Sequence, residues 1–210
     1  VEKAPRLMLG PLENRSPDLS KHVEGLIANP MMQPESSKIP LCTIGKYLWD
    51  PRAYDPDRAW LQAVRSVGDD GYPAFLKFCS YSSSNVLTGD NNKSSFSSLA
   101  DSFWRDYPQN NRASSENNLR EELRLLSNLP PRLRQTVNNR ALLNEIQPWL
   151  DKLSQLGETG LRALDYLELG NTASSKVTER SQLQQKVKEL KANKYNIGNE
   201  IIVFIESCLA

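Results

Sequence analysis

The apolar positions of this chain change their period once. Leu7-Met8-Leu9 is a short apolar run ended by Gly10-Pro11, and Val23 to Ala28 is a second, interrupted by Glu24 and Gly25 and ended by Asn29-Pro30. Short apolar runs bounded by turn residues predict buried strands. Asn14-Arg15-Ser16-Pro17-Asp18 between them predicts a turn. Pro34-Glu35-Ser36-Ser37 then suits a helix start, with Ile44, Tyr47 and Leu48 on one face. Strand, loop and helix in that order are half of a βαβ unit.

From about Asp50 the spacing becomes helical and stays so. Asp55-Pro56-Asp57 is a helix start with proline at its first position, followed by Trp60, Leu61, Val64 and Val67 and stopped at Gly68. Asp70 is placed to cap a next helix bearing Tyr72, Phe75, Leu76 and Phe78. Ser80 to Ser98 is rich in serine and asparagine and reads as a loop. Phe96, Leu99, Phe103 and Trp104 mark a further helix ending before Pro108. Asn110 to Asn118 reads as a polar linker, and Leu119, Leu123 and Leu126 as a helix ending at Pro130-Pro131. The clearest stripe follows: Leu142, Ile146, Trp149, Leu153, Leu156, Leu161, Leu164 and Leu167, three to five residues apart. Pro148 should bend that helix, because it removes a backbone donor and crowds the preceding turn. Leu183, Val187 and Leu190, then Ile201, Phe204, Ile205 and Leu209, complete the stripes. Each must be buried against others, so the expected fold is mainly α. It is a multi-helix bundle of about five to seven helices over 51–210, with polar loops near 80–98 and 108–118, preceded by a short α/β segment over 1–50.

Composition narrows the classes of function. The 210 residues carry 26 Lys+Arg against 25 Asp+Glu, a formal net charge of +1. So balanced a chain has no field to steer it to nucleic acid or to an anionic membrane surface, and neither is an expected partner. Hydrophobic residues make up 39% and the mean hydropathy is -0.55. That low apolar share fits long solvated helices and polar linkers. No run approaches the length of a membrane span, and the N-terminus lacks the apolar core of a signal peptide, so a mature, internal or cytosolic chain is expected.

The candidate chemistry is sparse. Cys42, Cys79 and Cys208 form no C-x-x-C pair and are expected to be ordinary small core residues. One histidine, His22, cannot build a metal site or a triad, so no metal or other cofactor is expected. Asp69-Asp70 is the one adjacent aspartate pair, which two different pKa values could turn into an acid and a base, but its place after Gly68 and before Gly71 favours helix capping. Lys186, Lys188, Lys191 and Lys194 could form an anion-binding face; without interleaved aromatics they read as a solvated helix surface. Asn29, at the end of an expected strand and before a proline, offers a donor and an acceptor where α/β folds place ligand groups. Asparagine before proline is equally an ordinary turn residue.

Four stretches together resemble one family. They are Leu7 to Ser16 (LMLGPLENRS), Val23 to Met31 (VEGLIANPM), Ser37 to Leu41 (SKIPL) and Tyr54 to Trp60 (YDPDRAW). They are similar to the end of the catalytic barrel of glycoside hydrolase family 84, which contains bacterial β-N-acetylglucosaminidases, some once called hyaluronidases, and the O-GlcNAcases. The remainder resembles the helical post-catalytic domain of the same enzymes in order and pattern. The resemblance implies that residues 1–50 are the last strands of a (β/α)8 barrel. It also implies a retaining reaction in which the sugar's own acetamide attacks the anomeric carbon, a departure from the scheme with a protein nucleophile. The family's aspartate pair belongs upstream of the Gly10-Pro11-Leu12-Glu13-Asn14-Arg15 segment, so Asp69-Asp70 is not that pair and no catalytic residue is expected here.

One substrate contact carries over. Asn29 matches the asparagine of the family's Asn-Pro-Met segment, which binds the hydroxyls at the far edge of an N-acetylglucosamine ring. Asn14 and Arg15 match as well and are expected to be structural. The resemblance thus implies an N-acetylglucosamine-containing glycan as the partner of the full enzyme, an inactive isolated chain, and a secreted or cell-surface bacterial origin. A helical interaction or oligomerisation module, self-associating through the strands or the helices, is the competing expectation. Two strands cannot close a barrel, so residues 1–50 should either pack irregularly or pair with a second chain.

Overall fold

A computed structural model describes residues 5–83, 95–109, 112–169 and 174–210. Nine α-helices are found among these residues: α1 (Pro34–Trp49), α2 (Pro56–Gly68), α3 (Tyr72–Ser80), α4 (Ser95–Asp106), α5 (Ala113–Ser127), α6 (Leu129–Thr136), α7 (Arg140–Glu168), α8 (Ser174–Ala192) and α9 (Asn199–Leu209). No segment of the described residues forms a strand. The fold is mainly α, with more helices than the apolar stripes suggest.

The helix starts follow local chemistry. At α2, the Asp55 side chain accepts the Arg58 N–H at 3.0 Å and Pro56 occupies the first turn, while Ala59, Ala63, Val64 and Gly68 line the buried face. At α7, the Asn139 side chain accepts the Leu142 N–H at 3.0 Å. Asp70 does not cap α3. The cap position there is Gly71, with no side-chain bond, and Asp69–Gly71 is a 3-10 turn. Gly71 is required because a Cβ there would stand 2.3 Å from Val137 Cγ2, so a bulkier capping residue has no room.

Two stretches of sequence behave differently from expectation. The polar residues from Ala113 to Asn118 are the first turns of α5, not a linker, since its buried face is completed by Ser115 and later by Leu119, Leu123 and Leu126. The helix bearing Leu119, Leu123 and Leu126 does end just before Pro130-Pro131, at Ser127, but the prolines also open α6, where prolines in the first turn cost no helical hydrogen bond, and Leu133 is buried on its inner face. Of the expected loop over 80–98, residues 84–94 lie outside the described residues, and 95–98 begin α4.

The chain divides into two compact units. One draws on Val1–Arg6, Asn92–Pro130 and Pro148–Ala210, the other on Leu7–Asn91 and Pro131–Gln147. The division falls within α7 at Pro148. In the first unit, α7 is buried on nearly every side, and Gly157 and Gly160 let α5 approach closely. A Cβ on Gly157 would lie 2.7 Å from the Leu123 carbonyl oxygen, and one on Gly160 2.6 Å from Leu123 Cδ2. Ser154 Oγ donates to the Ser127 carbonyl at 2.8 Å across the same contact. Phe204 of α9 meets Phe96 and Phe103 of α4 edge-on, with centroids 5.7 and 5.9 Å away. Lys152 is only 3% exposed; its ammonium donates to the Tyr195 and Asn193 carbonyls at 2.7 and 3.3 Å, just past the end of α8. Burial there pushes the Lys152 pKa down.

The second unit packs α1 on α2 and α2 on α3, with α6 and the start of α7 completing it. The buried face of α1 is Ser36, Ser37, Ile39, Thr43 and Tyr47. Leu48, expected on that face, is exposed, as are Leu41 and Trp49.

Candidate functional site

The two runs that the sequence marks as strands lie in this second unit, and they have different fates. Leu7 and Leu9 are fully buried, yet the backbone between Leu9 and Ser16 is held by groups of α1, α2 and the turns beside them in place of a sheet. Leu9 donates its N–H to the Ser82 carbonyl at 2.9 Å, and its own carbonyl accepts the Trp60 indole N–H at 2.6 Å. Leu12 donates to Thr43 Oγ1 at 3.0 Å and accepts the Tyr54 hydroxyl at 2.7 Å. The Tyr47 hydroxyl donates to the Ser16 carbonyl at 2.6 Å. Every one of these bonds satisfies a backbone group that a strand would have offered to a neighbour. Gly10 is fixed by a close approach: a Cβ would stand 2.2 Å from the Ser83 carbonyl oxygen. Burial raises the pKa of the Tyr54 hydroxyl. Asn14 turns the chain with a φ of 56°, a left-handed conformation that asparagine tolerates, and Arg15 Nη1 donates to its carbonyl at 3.3 Å.

The run from Val23 to Ala28 is not buried. Ile27 is 98% exposed, and the segment passes over the surface without regular structure. Its apolar residues have no sheet to enter among the described residues, which is why periodicity alone misplaced it. Asn29 follows, also exposed, with Pro30 beside it. Past it, Met31 tethers the chain twice: its Sδ accepts the Met8 N–H at 3.1 Å and its carbonyl accepts the Ser37 hydroxyl at 3.4 Å. Met32 is 96% exposed.

The helix that begins there has no local cap, because Gln33 makes no side-chain bond. A distant carboxylate takes the role. Glu145, on α7, accepts the Glu35 and Ser36 backbone N–H groups at 2.9 Å each and the Ser36 hydroxyl at 3.1 Å. An anion at this end also meets the positive pole of the helix. Beside it, the Glu35 carboxylate accepts hydrogen bonds from Lys38 and the Asn139 amide, which hold its pKa below the ordinary value. Asn139 was readable as a helix cap from its place before Arg140. Nothing in the sequence pairs Glu145 with a helix whose start lies 109 residues away.

The other candidates separate from this place. Asp69 and Asp70 are exposed on the turn before α3, and Asp69 has a φ of 45°. Lys191 pairs with Glu206 at 2.6 Å and Lys186 with Glu189 at 3.5 Å, while Lys188 and Lys194 are exposed, so the basic run is a solvated surface laced with acids. Cys79 and Cys208 are buried, which raises both thiol pKa values, Cys208 to about 12; Cys42 is exposed and is not a core residue, because it falls on the outer face of α1. His22 is exposed, and no group of acids, cysteines or histidine suited to a metal occurs among the described residues. A shallow recess between α1 and α2 is lined by Lys46, Asp50, Tyr54, Asp55, Arg58 and Gln62. Several of its polar groups are engaged: Asp50 accepts the Arg52 and Ala53 N–H groups, Asp55 caps α2, Lys46 donates to Gln62 and Tyr54 donates to the Leu12 carbonyl.

Among the described residues the chain is a helical assembly preceded by a short irregular segment. Residues 2–80 match the family described as beta-N-acetylglucosaminidase, and residues 95–205 match that described as hyaluronidase post-catalytic domain-like. The second match spans more than half of the chain, which belongs to this hyaluronidase post-catalytic domain-like family and, with the first match, to glycoside hydrolase family 84. It is similar to the solved structure of an O-GlcNAc hydrolase mutant from Thermobaculum terrenum, with 26% identity and a TM-score of 0.85, over 98% of this chain and 45% of that one. It is also similar to CpGH84B, with 25% identity and a TM-score of 0.82, over 97% of this chain and 36% of that one. CpGH84D, at 18% identity and a TM-score of 0.74, shares the fold. The chain thus spans less than half the length of the solved structures it matches.

Proposed function

We propose that the chain is the C-terminal part of a retaining, substrate-assisted β-N-acetylglucosaminidase that removes terminal β-linked N-acetylglucosamine from glycoconjugates. The observation that carries the reading is the order of the two family matches. The beta-N-acetylglucosaminidase match ends at residue 80 and the post-catalytic match begins at 95, so one chain passes from the edge of a catalytic domain into its helical companion. In this reading residues 1–50 are the end of the catalytic barrel, residues 51–210 are the helical domain, and the aspartate pair lies in the part of the enzyme that precedes Val1. Asn29 reaches the outer hydroxyls of the sugar, where an exposed amide offers both a donor and an acceptor. The exposed apolar residues Ile27, Met32 and Trp49 face the remainder of the barrel.

A chromogenic N-acetylglucosaminide tests the proposal. The enzyme carrying this chain should hydrolyse it with retention of configuration, and the chain by itself should not, because in this reading the acid that protonates the leaving oxygen belongs to the rest of the enzyme. Turnover by the isolated chain would refute the reading. The same exposed apolar residues favour a second reading, a self-associating helical module. Light scattering separates the two: a dimer that dissociates on Ile27→Ser would support self-association, and a monomer removes it.

A further inference from the structure

The cap on α1 comes from the other family segment. Glu35 and Ser36 lie in the beta-N-acetylglucosaminidase match, whereas Glu145 lies within the post-catalytic match. Among the described residues, the compact unit that holds Asn29 also takes in Pro131–Gln147. We infer that Glu145 is a positioning residue for substrate binding, acting through the first turn of α1 to fix the Asn29 segment. The inference rests on the proposed contact between Asn29 and the sugar.

The path is short and made of hydrogen bonds. Glu145 holds the Glu35 and Ser36 N–H groups and the Ser36 hydroxyl, which fixes where α1 begins. In that first turn, Ser37 donates its N–H to the Gln33 carbonyl at 2.9 Å and its hydroxyl to the Met31 carbonyl at 3.4 Å. Met31 is joined to Asn29 through Pro30, whose ring restricts φ and passes the placement on. Without Glu145, two backbone donors at the start of α1 lose their partner and Gln33 supplies no substitute. The first turn then frays, and Asn29 loses its anchor on the side of the helix. The post-catalytic segment thereby contributes to sugar affinity without touching the sugar.

A thermodynamic cycle on the enzyme that carries this chain tests the inference. Asn29→Ala should raise KM for a chromogenic N-acetylglucosaminide about tenfold, the loss of one well-made hydrogen bond. Glu145→Ala, assayed well below its own melting temperature, should raise KM by about three- to tenfold with kcat changed less, and Glu145→Gln, which keeps one acceptor oxygen, by less than that. A merely structural loss behaves otherwise, since a partly unfolded population lowers apparent kcat and leaves KM alone. In the Asn29→Ala background, Glu145→Ala should raise KM no further, because the contact it misplaces is already gone. KM effects that multiply, or an unchanged KM in Glu145→Ala alone, overturn the inference while leaving Asn29 in its role. An unchanged KM in Asn29→Ala overturns the Asn29 reading, and the inference falls with it. If Glu145→Ala does not fold, Ser36→Ala removes one of the three contacts and carries the same cycle with a smaller KM rise.

Discussion

Residues 7–16 and 23–32 begin with the same sequence signal and end in opposite environments. Both are short apolar runs closed by turn residues. The first is buried because Tyr47 and Thr43 of α1, Trp60 of α2 and Tyr54 of the loop between them reach its backbone, each meeting a donor or acceptor that would otherwise be desolvated. The second has apolar side chains but no comparable set of helix residues aimed at it, and Ile27 and Met32 remain in solvent. An apolar run is therefore buried without a sheet only where polar side chains take over the sheet's hydrogen bonding.

That contrast can be broken at graded cost in the chain itself. Trp60→Ala removes both an aromatic side chain and the bond to the Leu9 carbonyl, and should lower stability by about 3 kcal/mol in urea unfolding. Gly10→Ala drives a methyl group into the Ser83 carbonyl and should cost about 2 kcal/mol, with loss of near-UV circular dichroism. Tyr54→Phe deletes one hydroxyl that donates to the Leu12 carbonyl and should cost about 1 kcal/mol, with faster hydrogen exchange at Leu12. Ile27→Ser, in the exposed run, should change stability in urea unfolding by no more than about 0.5 kcal/mol. If Ile27→Ser destabilises the isolated chain as much as Trp60→Ala, the two segments do not differ in the way described.

Much of the helical architecture was legible in the sequence. Asp55-Pro56 signals the start of α2 by chemistry confined to a few residues, and the leucine stripe of α7 is visible because burial on one face repeats with the helical period. The rest depends on neighbours the sequence does not name. Gly157 and Gly160 look like helix breakers, yet they are the contact surface for Leu123. Pro130-Pro131 looks like a stop, although proline is compatible with a first turn. At the candidate site, Asn29 stood out through its place after an apolar run and through family resemblance. Glu145 had no such signal, because a carboxylate four residues after Ala141 on an amphipathic helix resembles any solvated acid until the start of α1 is set against it.

The separation between that carboxylate and the helix it caps has a consequence for synthesis. A nascent chain grows at about 5–20 residues per second, so the 110 residues between Glu35 and Glu145 correspond to a delay on the order of 5–20 s. The side-chain bonds that secure residues 9–16 span 31 to 51 residues and the Leu9–Ser82 backbone bond joins residues 9 and 82, so all become available before this. During the interval the first turn of α1 has water as its only cap, and the segment carrying Asn29 gains its fixed exit only once Glu145 has been made.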